Sequence, residues 1–173
     1  MRIDKRIGMF LITVITIGLI GLTAFIPRIA DHTNSTAVLE EELKKGYHIA
    51  LFDPMYRRDN KSSSIDYTTR TLHTKGEKGL LIQGPNLTLP TGTYELDISG
   101  IAENLQDDKT YLHIQITGEQ TTIKEIDLKK TELEQGHTTI KFKLADTTDY
   151  VSWNLTFENE AIYQLAQISI RKV

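Results

Sequence analysis

Among the side chains of this 173-residue chain, Tyr111, His113 and Gln115 are spaced two apart, and Tyr150 and Asn154 four apart. On an extended strand such spacing puts each set on one face. An aromatic ring beside planar amides and an imidazole suits a saccharide, which offers C–H faces for stacking and hydroxyl edges for hydrogen bonding. These five residues are therefore the candidate ligand contacts, provided that their strands are neighbours. The alternative is a solvated outer face on which Tyr and Thr serve β propensity. The polar loop at residues 55–64 is a second candidate location, since binding in such folds often sits on loops.

Other chemistry finds less support. Trp153 is the only tryptophan, but it alternates with Val151, Leu155 and Phe157 and is assigned to the core. The histidines (His32, His48, His73, His113 and His137) are scattered without HxH or HExxH spacing, so a catalytic zinc is not expected. Asp107, Asp108, Asp146 and Asp149 offer carboxylates to a structural calcium but match no defined calcium loop, and read as turn aspartates. No cofactor is expected. The chain contains no cysteine, which excludes thiol catalysis and Cys-ligated metals. No G-x-S-x-G, phosphate-binding glycine loop or dinucleotide fingerprint is present, and the chain is read as a non-enzyme. Four glycosylation-acceptor triplets, at Asn34, Asn60, Asn86 and Asn154, are read as chance in a Thr-rich chain.

The elements that must position these residues are strands. Residues 93–99 alternate strictly, with Tyr94, Leu96 and Ile98 on one face and Glu95, Asp97 and Ser99 on the other. Leu80–Ile82 and Leu87–Leu89 are apolar runs divided by a turn at Gly84-Pro85, and Pro90-Thr91-Gly92 makes a second turn. Further strands are predicted at 47–52, 65–73, 111–117, 121–128 (with a bulge), 138–144, 150–157 and 165–171, with polar connections at 102–110 and 129–136. A short helix is predicted over 36–45, its acidic residues early and its lysines late, stopped by Gly46. About eight or nine short strands with no βαβ period indicate an all-β sandwich or barrel.

The order Gly84-Pro85, short strand, Leu89-Pro90-Thr91-Gly92-Thr93-Tyr94, strand resembles galactose-binding-like jelly rolls, a class common among carbohydrate-binding modules. The resemblance covers about residues 79–173. It implies a jelly-roll β-sandwich and a glycan context. Members often place an aromatic after the Gly-Pro, where this chain has Asn86, so no binding residue is carried over.

Residues 7–27 hold no charged side chain, enough for a spanning helix, and follow Arg2, Lys5 and Arg6. The expected organisation is a cytoplasmic tail (1–6), a transmembrane anchor (7–27), a linker (28–36) and an extracytoplasmic domain (37–173). The rival reading is a signal peptide cleaved near Ala30, but the apolar core is longer than the usual about 7–15 residues. The net charge of −3 argues against a nucleic-acid partner, and absent disulfides fit a bacterial or archaeal cell envelope. Two function classes follow. One is a membrane-anchored carbohydrate-binding or glycan-assembly accessory module, with an envelope polysaccharide or a polytopic membrane protein such as a glycosyltransferase as partner. The other is a structural partner subunit of an envelope complex that binds no sugar.

Overall fold

The computed structural model describes residues 36–106, 109–119 and 121–173. The proposed anchor at 7–27, the tail before it, the linker up to residue 35, and Asp107 and Asp108 lie outside the described residues. Among those described, no helix is long and apolar enough to cross a membrane.

Among the described residues eleven strands and two short helices follow in chain order: β1 (Thr36–Ala37), α1 (Glu40–Lys45), β2 (Tyr47–His48), β3 (Ser63–Asp66), β4 (Thr71–Thr74), β5 (Gly79–Leu89), β6 (Gly92–Glu103), β7 (Thr110–Gly118), β8 (Thr121–Lys129), α2 (Lys130–Leu133), β9 (His137–Leu144), β10 (Thr148–Phe157) and β11 (Ile162–Lys172). One sheet has the order β1-β5-β10-β7-β8. The other has β3-β4-β11-β6-β9, with β2 added on β11.

The antiparallel pairs β7·β8, β6·β9, β5·β10 and β4·β11 are nested, as in one long hairpin. Successive pairs fall in alternate sheets, which rolls that hairpin into a two-sheet jelly roll. The expected all-β jelly-roll sandwich is what the chain forms. The core lies between the sheets and is built from the alternating inward residues of each strand. Tyr94, Leu96 and Ile98 face Leu112, Ile114 and Ile116 and the Val151–Trp153–Leu155 set across it, all buried. Trp153 is a core residue, as alternation predicts, with its ring 6.4 Å from that of Tyr56.

Several local readings are corrected. Gly84-Pro85 is not a turn between two strands. β5 runs through it with a cis peptide there, and its partner β10 slips register between Val151 and Trp153. Pro90-Thr91 does not close a hairpin but passes the chain from one sheet to the other. The predicted strand 65–73 is a hairpin, β3 and β4, whose turn is set by the Asp66 carboxylate accepting from the backbone N–H of Thr68 at 2.8 Å. The first predicted strand shortens to Tyr47–His48, and the polar connection at 129–136 contains α2. The predicted helix begins only at Glu40, and Leu39 just before it is exposed. Thr36 and Ala37 instead add a short parallel strand to β5. α1 keeps its acidic first turn and basic last turn, and Gly46 ends it at φ 94°, a conformation open to glycine.

Candidate functional site

The outward face of the β5-β10-β7-β8 sheet carries three of the five predicted ligand residues. Cα partners in adjacent strands put side chains on the same face. Asn154 pairs with Gln83 on β5 and with Gln115 on β7, and Gln115 pairs with Glu125 on β8. The result is one polar row across four strands: Gln83, Asn154, Gln115, Glu125. The next row holds Thr156, His113 and Asp127. At a strand spacing of about 4.8 Å the four-residue row extends about 14 Å.

His113 is clamped within this face. Its Nδ1 lies 2.7 Å from Asp127 Oδ1 and its Nε2 3.0 Å from Glu125 Oε1. Both ring nitrogens donate to carboxylates only in the imidazolium form. The bond to Asp127 holds the His113 pKa above its ordinary value, partial burial opposes this, and the charges of Asp127, Glu125 and Glu158 reinforce it. Gln115 Nε2 donates to Thr122 Oγ1 at 3.3 Å. Asn154 Oδ1 and Ser152 Oγ are buried without a hydrogen-bond partner. Such acceptors are costly unless another group supplies the bond.

Beside Gln83 the loop before β3 closes on the sheet. Arg57 and Gln83 exchange backbone hydrogen bonds at 2.7 and 2.8 Å. A cavity of about 140 Å³ lies there, lined by Met55, Arg57, Gln83, Gly84 and Asn86. A glycine is required at position 84: its φ is 130°, and a Cβ would meet the Met55 carbonyl oxygen at 2.5 Å.

Of the two predicted aromatic contacts, Tyr111 is not on this face and Tyr150 stands outside the row. Tyr111 was expected outward with His113 and Gln115, but it is only 1% exposed, its ring 6.3 Å from that of Phe157. The cause is a register slip between Thr110 and Leu112 against β8, which breaks the alternation and turns both Tyr111 and Leu112 inward. The Tyr111 hydroxyl is held by the backbone of Gln106. Tyr150 is exposed, but it sits at φ 56° in a second irregularity, between Thr148 and Val151, four residues along β10 from Asn154. Sequence periodicity missed Gln83, Glu125 and Asp127, because nothing in β5 or β8 alone says which residue of β7 or β10 it pairs with. Among the described residues no group of three His, Asp or Glu side chains is gathered to hold a metal ion. Asp146 and Asp149 stand in the turn entering β10 and in its first residues, where Asp149 accepts a hydrogen bond from Thr88 Oγ1.

No protein-family model and no curated protein matches the chain. Solved structures do. A chain of the Glycosylation Associate Protein (Gap123) complex from Streptococcus agalactiae is 17% identical with a TM-score of 0.49, over 73% of this chain and 25% of that one. This chain thus spans about a quarter of that protein's length. A chain of accessory secretory protein 1, 2 and 3 in Streptococcus pneumoniae is 16% identical at a TM-score of 0.48, covering 70% of this chain and 98% of that one. The carbohydrate binding module CBM6cm-2 from Cellvibrio mixtus lichenase 5A, in complex with cellotriose, is 15% identical at 0.42, over 68% and 90%. All three are under 25% identical with TM-scores below 0.5, and the jelly-roll assignment rests on the nested strand pairing described above.

Proposed function

We propose that the sandwich is a non-catalytic glycan-binding accessory module, and that residues 7–27 hold it on the outer side of a bacterial cell membrane. The observation that carries this reading is the in-register row Gln83, Asn154, Gln115 and Glu125. Planar amides and carboxylates at strand spacing match the hydroxyl edges of a sugar chain laid across the strands. With no aromatic ring from Tyr111 or Tyr150 on that row, binding is weak, with Kd in about the micromolar to millimolar range. Membrane tethering compensates by raising the effective concentration. In this reading the partner is an envelope polysaccharide or the glycosylation machinery that makes it, including a polytopic glycosyltransferase.

The test is a nuclear magnetic resonance titration of neutral cell-wall oligosaccharides into the labelled chain. The amides of Asn154, Gln115 and His113 should shift, and Asn154→Ala should weaken binding at least tenfold. Silence of that face toward every glycan tried would reject the reading. A docking role without sugar is favoured by one observation: Ile101 on β6 and Ile162 on β11, adjacent strands of the other sheet, are both exposed. Co-purification of a membrane protein that is lost on Ile101→Lys, with no glycan response, would favour that role.

A further inference from the structure

The neighbourhood of the β3–β4 hairpin has a charge unlike the rest of the domain. Residues 57–75 carry Arg57, Arg58, Lys61, Arg70 and Lys75 against only Asp59 and Asp66, within a chain of net charge −3. Both aspartates are engaged in turns, Asp59 accepting from the backbone N–H of Lys61 at 3.0 Å and Asp66 from that of Thr68 at 2.8 Å. A cleft of about 150 Å³ opens here, lined by Arg58, Asn60, Ser64, Ile65, Tyr67 and Leu72. Tyr67 is 74% exposed, the most exposed of the large apolar or aromatic side chains among the described residues.

The cleft walls are braced before any ligand arrives. Arg58 Nη1 donates to the Leu51 carbonyl at 2.6 Å, leaving its other guanidinium donors for a ligand. Ser62 Oγ donates to the Leu80 carbonyl at 2.8 Å and Ser63 Oγ to the Asp59 carbonyl at 3.0 Å. Lys75 ties the loop to β4, its backbone N–H donating to the Ser62 carbonyl at 2.9 Å and its Nζ to the Asn60 carbonyl at 2.7 Å. A preformed wall lowers the ordering cost of binding.

An exposed phenol ring, an amide, a hydroxyl and a fixed guanidinium around one cleft match a sugar that carries a negative group. The ring takes a C–H face, Asn60 and Ser64 take hydroxyls, and Arg58 takes the anion in planar, charge-assisted hydrogen bonds. We infer that this cleft is a second saccharide site, separate from the sheet face, and that it selects acidic sugars bearing carboxylate or phosphate. The surrounding Lys61 and Arg70 add a screened, longer-range attraction.

The test titrates a hyaluronan hexasaccharide, maltohexaose and inorganic phosphate separately into the full chain, following backbone amides. The hyaluronan hexasaccharide should shift Asn60, Ser64 and Tyr67, bind several-fold more weakly at 0.5 M than at 0.05 M salt, and lose at least tenfold in affinity on Tyr67→Ala. Maltohexaose should leave those amides in place. Tyr67 is exposed, so Tyr67→Ala should keep the wild-type melting temperature, and Lys61→Gln gives a second surface variant that weakens only the acidic ligand. The inference is overturned if the neutral sugar binds the cleft as tightly, if phosphate alone reproduces the shifts and the affinity, or if Tyr67→Ala leaves affinity unchanged. Asn154→Ala should not alter this response, so failure of the sheet-face site and failure of this one are read separately.

Discussion

Tyr111→Ala should destabilise the sandwich by about 4 kcal/mol and reach sugar binding only through the fold. The ring is 1% exposed and lies against Phe157. A buried tyrosine removes about 150–200 Å² from water, which at about 25 cal/mol per Å² is about 4–5 kcal/mol. That is an upper value, since the unfolded chain already buries part of this surface. Truncations of buried aromatics to alanine cost about 3–5 kcal/mol, cavity included. The hydroxyl is a separable part: it receives the Gln106 N–H at 2.5 Å, and Tyr111→Phe should cost about 1 kcal/mol. Tyr150→Ala, at an exposed position, should cost about 0.5 kcal/mol or less. Urea unfolding followed by the fluorescence of Trp153, the only tryptophan, orders the three variants. A Tyr111→Ala midpoint equal to wild type, or a larger loss from Tyr150→Ala, would refute the inward placement of Tyr111 and return it to the candidate ligand contacts.

His113 should titrate above a free histidine, because Asp127 and Glu125 hold its charged form. A raised pKa means that its stabilising contribution is complete below the unfolded value of about 6.5 and is lost as pH rises through the native value. The stability gap between wild type and His113→Gln should therefore be widest near pH 5–6 and close at higher pH. An imidazole midpoint at or below the ordinary value, followed by proton resonance, would contradict the clamp. Gly84→Ala should destabilise by about 1–3 kcal/mol, from the positive φ and the contact with the Met55 carbonyl. It should also broaden the amide resonances of Met55 and Arg57 as the loop lifts from β5. Sharp, unmoved resonances would show that the loop does not depend on that close approach.

By itself the sequence determined the class of fold and the identity of most core residues. Strict alternation in β6, β7 and β9 marks Tyr94, Leu96, Ile98, Ile114, Ile116, Ile140 and Phe142 as inward, and all are buried. Trp153 was legible in the same way, because a period of two is a local property that each strand carries within itself. What only the tertiary structure decided is where that period breaks and which strands meet. The slip beside Tyr111 and the irregularity at Tyr150 arise from pairing with other strands, so no window on β7 or β10 could reveal them. The row joining Gln83, Asn154, Gln115 and Glu125 depends on β10 lying between β5 and β7, an order produced by rolling a long nested hairpin into two sheets. The clamp on His113 depends likewise on the register of β7 against β8, which brings Glu125 and Asp127 to it from twelve and fourteen residues away. Local pattern names the faces of a strand, and only long-range hydrogen bonding between strands decides what each face has beside it.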